Sequence, residues 1–253
     1  LPARQGTTGF RPDIEGLRAV AIAAVLLAHA GVPFVAGGFA GVDVFFVISG
    51  FLITGMLVRE AERSGTVSLL GFYAKRATRL LPLAVLVLAV VTVLSALLLA
   101  PLRAADVADD VVASGLYVVN WHLAAQSVDY FAGGAAASPV QHFWSLAVEE
   151  QFYLLWPLLL LTATWWSRRR GRSLRPALWT AVVGVAGASL GYGIVLTQAD
   201  AGRAYFSSPA RAWELALGGL VALALAGPAP ARPRPRPGPR RTVWRSERDY
   251  RAQ

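Results

Sequence analysis

Ile14-Glu-Gly-Leu-Arg-Ala-Val-Ala-Ile-Ala-Ala-Val-Leu-Leu-Ala-His29 sets ten apolar residues between Arg18 and His29. In a helix, eleven steps of about 100° return to within roughly 20° of the starting face and advance roughly 16 Å. Both polar groups therefore share a face at different depths. The run is apolar enough to read as a membrane helix, where ionisable side chains are expensive and mark function. A helix-end arginine with one satisfied interior histidine is the plainer alternative.

Around this stretch the composition points the same way. The 253 residues are 55% hydrophobic and only 15% charged, which excludes an ordinary soluble domain. The net charge of +9 does not indicate nucleic acid, because the arginines cluster between apolar runs and near the C-terminal end. With no cysteine, a thiol nucleophile and a Cys-rich metal site are both excluded. His29, His122 and His142 lack metal-ligand spacing, so no metal is expected. No charged leader with a small-residue cleavage site precedes the first span, and no removable signal peptide is expected.

The pattern predicts an all-α polytopic transmembrane bundle of about six spans. A polar segment, residues 1–10, leads into a transmembrane domain over 11–227, followed by a disordered Pro/Arg-rich tail over 228–253. The spans fall near 17–32, 41–58, 80–100, 143–166, 177–196 and 212–226. Residues 59–79 read as a partly interfacial connection, with Pro82 in the first turn of span three. Residues 101–141 read as a long, acidic, mixed loop that ends in a flexible Gly/Ala run. Counting Arg18 with the N-terminal side, all of the 24 basic residues but Arg103, Arg203 and Arg211 precede span one, link spans two and three or four and five, or lie in the tail. The positive-inside rule then puts both termini in the cytoplasm, the 101–141 loop outside, and Arg18 nearer the cytoplasmic face than His29.

Five motifs now carry a resemblance. Arg11-Pro-Asp-Ile-Glu-Gly-Leu-Arg-Ala-Val with His29, Gly41-Val-Asp-Val-Phe-Phe-Val-Ile-Ser-Gly-Phe-Leu-Ile and Lys75-Arg-Ala-Thr-Arg-Leu-Leu-Pro82 come first. Gln141-His-Phe-Trp-Ser-Leu-Ala-Val-Glu-Glu-Gln-Phe-Tyr-Leu-Leu-Trp-Pro157 and Ser208-Pro-Ala-Arg-Ala-Trp-Glu-Leu-Ala-Leu-Gly-Gly219 follow in order. Over about Phe10 to Ala226 the chain resembles the membrane-bound acyltransferase 3 family. The resemblance implies a multispanning enzyme of the bacterial cytoplasmic membrane. Such an enzyme moves an acyl group, often acetyl, from cytoplasmic acyl-CoA to a hydroxyl of a surface glycan, a lipid-linked sugar or a similar acceptor. The family's arginine and histidine pair falls on Arg18 and His29, and its two spaced arginines fall on Arg76 and Arg79. Family members usually continue with more spans, so the chain reads as shortened after the sixth. A transporter or flippase of a modified sugar, or an inactive fragment, are the alternative classes.

Acyl transfer to an alcohol needs a base, donors for the developing oxyanion, and a cationic seat for the CoA phosphates. Histidine is the side chain whose unperturbed pKa is closest to neutral, so His29 is the expected base. Arg18, Arg76 and Arg79 are expected to hold acyl-CoA, the donor substrate, since no permanently bound cofactor is expected. For Arg76 and Arg79, topological anchoring explains the charge equally well. Glu149 and Glu150 point about 100° apart, so they cannot both face one partner; orienting His29 or pairing an arginine is the expected role. Asp43, His142 and Trp144 are expected to line the acceptor's approach. Ser49 reads as a helix-packing residue beside Gly50.

Overall fold

The computed structural model describes residues 11–126 and 138–226 and is helical throughout, with no strand among the described residues. In chain order the helices are α1 (Pro12–His29), α2 (Gly41–Ser64), α3 (Leu69–Leu98), α4 (Pro101–Gly115), α5 (Val119–Ala125), α6 (Phe143–Arg169), α7 (Leu174–Ala199), α8 (Ala201–Phe206) and α9 (Ser208–Leu225). Four helical stretches are long and apolar enough to cross a bilayer: Gly37–Ser64, Leu69–Leu98, Phe143–Arg169 and Leu174–Ala199. Each of the six expected spans is a helix; α1 and α9, at 18 residues each, are the two outside this set. The expected polar N-terminal segment, the Gly/Ala run after 132 and the Pro/Arg tail lie outside the described residues.

Local chemistry explains the boundaries. Pro12 opens α1 where a missing N–H costs nothing, acidic Asp13 and Glu15 sit in its first turn and His29 in its last, matching the helix dipole. Gly65 closes α2 at φ 76°, a conformation that a Cβ would strain. The Ser68 hydroxyl caps α3 by accepting from the Gly71 N–H. Two expectations change here. Of the 59–79 connection, residues 59–64 end α2, and residues 69–79 join the third span in one 30-residue helix, α3, which continues through Pro82 because helices in lipid can re-satisfy a freed carbonyl. The expected loop after 101 begins with two helices, α4 and α5, and α4 carries Asp110 buried against His122 at 3.2 Å.

Burial separates core from periphery. In their most apolar stretches, 44% of α2 and 39% of α6 is buried against 6% of α3 and 11% of α7. The interior is therefore α2, α6 and the buried face of α9. The exposed leucines and valines of α3, such as Leu83, Val85 and Leu86, form a lipid-facing surface. The α2–α9 seam is the closest approach: a Cβ at Gly50 would stand 1.8 Å from the Leu215 carbonyl oxygen, and one at Gly218 1.9 Å from that of Val47. Glycine lets the two backbones touch. Trp156 ties α6 to α2 by donating to Thr54 Oγ1 at 2.8 Å.

Candidate active site

The α2–α3 turn leads into a cavity of about 630 Å³ between α1, α2, α3 and α6. Arg18, Arg63, Lys75, Arg76 and Arg79 all line it, together with Ser49, Glu60, Glu149 and Tyr153. On α3, Arg79 stands three residues after Arg76 and four after Lys75, which makes it a neighbour of both on the helix surface. From Glu60 to Ser49 the wall runs eleven residues along α2, roughly 16 Å. Five cations against two carboxylates make this a deep, cationic chamber.

Its individual contacts fix the walls. Glu150 pairs with Arg76 at 2.5 Å, and the guanidinium lies over the Tyr153 ring at 3.5 Å from its centroid. Glu149, one residue earlier, faces elsewhere and accepts hydrogen bonds from Ser49 and, at 3.3 Å, from the Tyr153 hydroxyl. The roughly 100° divergence of adjacent helix positions is thus seen in two different partners. Arg18 pairs with Glu15 at 3.2 Å and sits 6.0 Å from the Phe45 ring, one turn from Ser49. It therefore belongs to the chamber wall near Ser49, with Arg63 lying toward the α2–α3 turn. Ser49, beyond helix packing, supplies a hydroxyl to that wall.

The other predicted residues gather at the far end of the bundle. His29 is exposed at the end of α1, its Nδ1 2.8 Å from the Val25 carbonyl, and it is not among the chamber-lining residues. It lies close enough to His142 for its charge to oppose protonation there. Asp43 is bound by Arg211, which also pairs with Glu214 at 3.2 Å and lies near the rings of Phe46, Trp144 and Tyr205. Trp144 is 1% exposed, packed against Phe46, Tyr205 and Phe206, so it is a core residue whose faces are closed to an approaching acceptor. No cluster of three or more metal-ligating side chains occurs among the described residues.

Sequence reasoning passed over Arg63, Tyr153 and Arg211 as site residues. The spacing of Glu149 and Tyr153, four residues apart on one helix face, was the available signal.

His142 has a testable electrostatic signature. Desolvation lowers its pKa from the ordinary 6.5, the Pro139 carbonyl opposes this, and His29 adds to it. The folded protein thus binds this proton less readily than the unfolded chain. Stability should fall as pH drops below about 6.5, because protonation then favours the unfolded state. Thermal unfolding in detergent at neutral and mildly acidic pH measures this, and His142→Gln should flatten the slope. An unchanged slope in that variant would assign the acid sensitivity elsewhere.

A bundle with four helices long and apolar enough to cross a membrane, packed beside a cationic chamber, is that of a polytopic membrane protein. The chain belongs to the acyltransferase domain family, whose model matches residues 11–242. It is similar to the peptidoglycan O-acetyltransferase OatA of Listeria monocytogenes, 37% identical over 83% of this chain and 33% of that protein. It is also similar to the O-acetyltransferase OatA of Staphylococcus aureus strain NCTC 8325, 39% identical over 84% of this chain and 34% of that protein. The chain therefore spans about a third of the length of these relatives. No solved structure matches it.

Proposed function

We propose that this chain supplies the acyl-donor and transfer machinery of a membrane O-acetyltransferase. In this reading acetyl-CoA is the donor, and the acceptor is a hydroxyl of a cell-surface glycan, peptidoglycan being the example that the Listeria relative's name offers. The carrying observation is the single chamber on which Arg18, Arg63, Lys75, Arg76 and Arg79 converge. Phosphates bind best to several guanidinium and ammonium groups at once. Arg63, Lys75 and Arg79 seat them in the part toward the α2–α3 turn. Arg76, held by Glu150 and Tyr153, shapes the wall, and the pantetheine arm runs inward past Arg18 toward His29. His29 takes the proton of the acceptor hydroxyl, with His142 beside it. The distribution of lysine and arginine supports cytoplasmic termini in a bacterial cytoplasmic membrane, which puts the α2–α3 turn on the acyl-CoA side.

The test is a comparison of donors. Lys75→Gln/Arg79→Gln should raise KM for acetyl-CoA about tenfold, the share of two charge-assisted contacts left after solvent screening, with kcat nearly unchanged. S-acetylpantetheine, which has no nucleotide phosphates, should react equally with both proteins. Equal KM for acetyl-CoA in variant and parent would overturn the phosphate seat.

A further inference from the structure

The α6–α7 turn carries a second feature that the acyl-transfer reading leaves unused. Arg168, Arg169, Arg170 and Arg172 crowd the end of α6 and the turn at Gly171, whose φ is 59°. Arg169 lies 4.3 Å from the Trp165 ring centroid, while Arg170 and Arg172 lie 5.0 and 5.6 Å from that of Trp166. Neighbouring Arg175 is paired with Glu62, but Arg169, Arg170 and Arg172 have no carboxylate partner among the described residues. Both tryptophans are exposed, at 52% and 40%.

Immediately below these cations a groove of about 740 Å³ opens between α6 and α7. One wall is Leu159, Ala163, Trp165 and Trp166; the other is kept low by small Ala177 and Ala181. Arg172 stands at its head. The volume falls within the roughly 300–1,000 Å³ usual for small-molecule sites. An apolar slot between two bilayer-crossing helices, headed by three unneutralised arginines held over indole rings, has the polarity profile of one bilayer component, an anionic phospholipid.

We propose that this groove is a binding site for an anionic glycerophospholipid. The phosphate lies among Arg169, Arg170 and Arg172, and an acyl chain lies along Ala177 and Ala181. The arginines supply selectivity for negative headgroups, and the groove supplies retention, so both are required.

The experiment is native mass spectrometry of the purified full chain, released from mixed micelles holding phosphatidylglycerol and phosphatidylcholine in equal amounts. At about 1 kcal/mol for each of the three interfacial arginines, bound phosphatidylglycerol should exceed phosphatidylcholine by roughly a hundredfold at low salt, and by less at high salt. Arg169→Gln/Arg170→Gln/Arg172→Gln should bring the two lipids to parity. Ala177→Trp fills the groove without altering charge and should remove retained lipid of both kinds. Circular dichroism in phosphatidylcholine micelles checks that each variant folds. Glycerol phosphate, a headgroup with no chain, should neither bind nor displace lipid. Parity of the two lipids on the parent protein would overturn the proposal, as would a phosphatidylglycerol preference that survives both variants. Displacement by glycerol phosphate would reassign the arginines to a soluble anion.

Discussion

Gly218→Val is expected to remove nearly all folded protein. The Cβ position at Gly218 meets the Val47 carbonyl oxygen at 1.9 Å and the Phe51 nitrogen at 2.6 Å, and both are backbone atoms of α2. No rotamer change relieves such a clash, so the helices must part. Overpacking a core with flexible neighbours costs about 1–3 kcal/mol, and a backbone obstacle lies beyond that range. Separating α9 from α2 would also open the buried faces of Leu215 and Leu57, both 0% exposed. Against a typical reserve of about 5–15 kcal/mol, that breaks the fold. Gly55→Ala is the control, since its Cβ would meet only the flexible Arg59 guanidinium at 3.3 Å and the Ala222 Cβ at 3.8 Å. Monodisperse yield in detergent and thermal unfolding decide the matter. Comparable yield of Gly218→Val and parent would mean that the seam is looser than described.

His29→Ala is expected to lower acetyl transfer by about 10²–10⁴-fold, the usual worth of a positioned general base. Its stability effect should be small, because His29 is exposed and its Nδ1 contact is to a carbonyl within its own helix. The cationic chamber does not include His29, so KM for acetyl-CoA should stay near the parent value. A loss in kcat with KM intact separates a base from a donor ligand. The measurement is thiol release from acetyl-CoA with a glycan acceptor present, at matched folded concentration. Full turnover in His29→Ala would move the base to another group, and Glu149, held by Ser49 and Tyr153, would be next.

Much of the fold was legible from hydropathy, because a bilayer-crossing helix must write a long apolar run into its sequence. Pro82 reads as a first-turn proline of span three, whereas α3 starts at Leu69 and lipid and neighbouring helices allow it to continue through the proline. The helices of 101–125 were missed because short polar helices at a bundle's end leave no comparable run. At the site, the α3 cations were legible from local spacing. The junction of Arg76 with Glu150 was not, because it joins residues 74 apart. Ser49 illustrates the limit further. Beside Gly50 it looked like packing, and only the approach of α6 gives its hydroxyl the Glu149 carboxylate as a partner.

The seam between α2 and α9 also sets a timetable for biogenesis. Asp43 and Arg211, which join its ends, lie 168 residues apart in the chain. At about 5–20 residues per second, the ribosome delivers Arg211 roughly ten to thirty seconds after Asp43. Throughout that interval α2 sits in or beside the membrane with its glycine groove unfilled and its carboxylate without the arginine. The bundle's tightest joint is therefore closed late, by the last described helix to be made, and until then the nascent chain is most open to wrong partners.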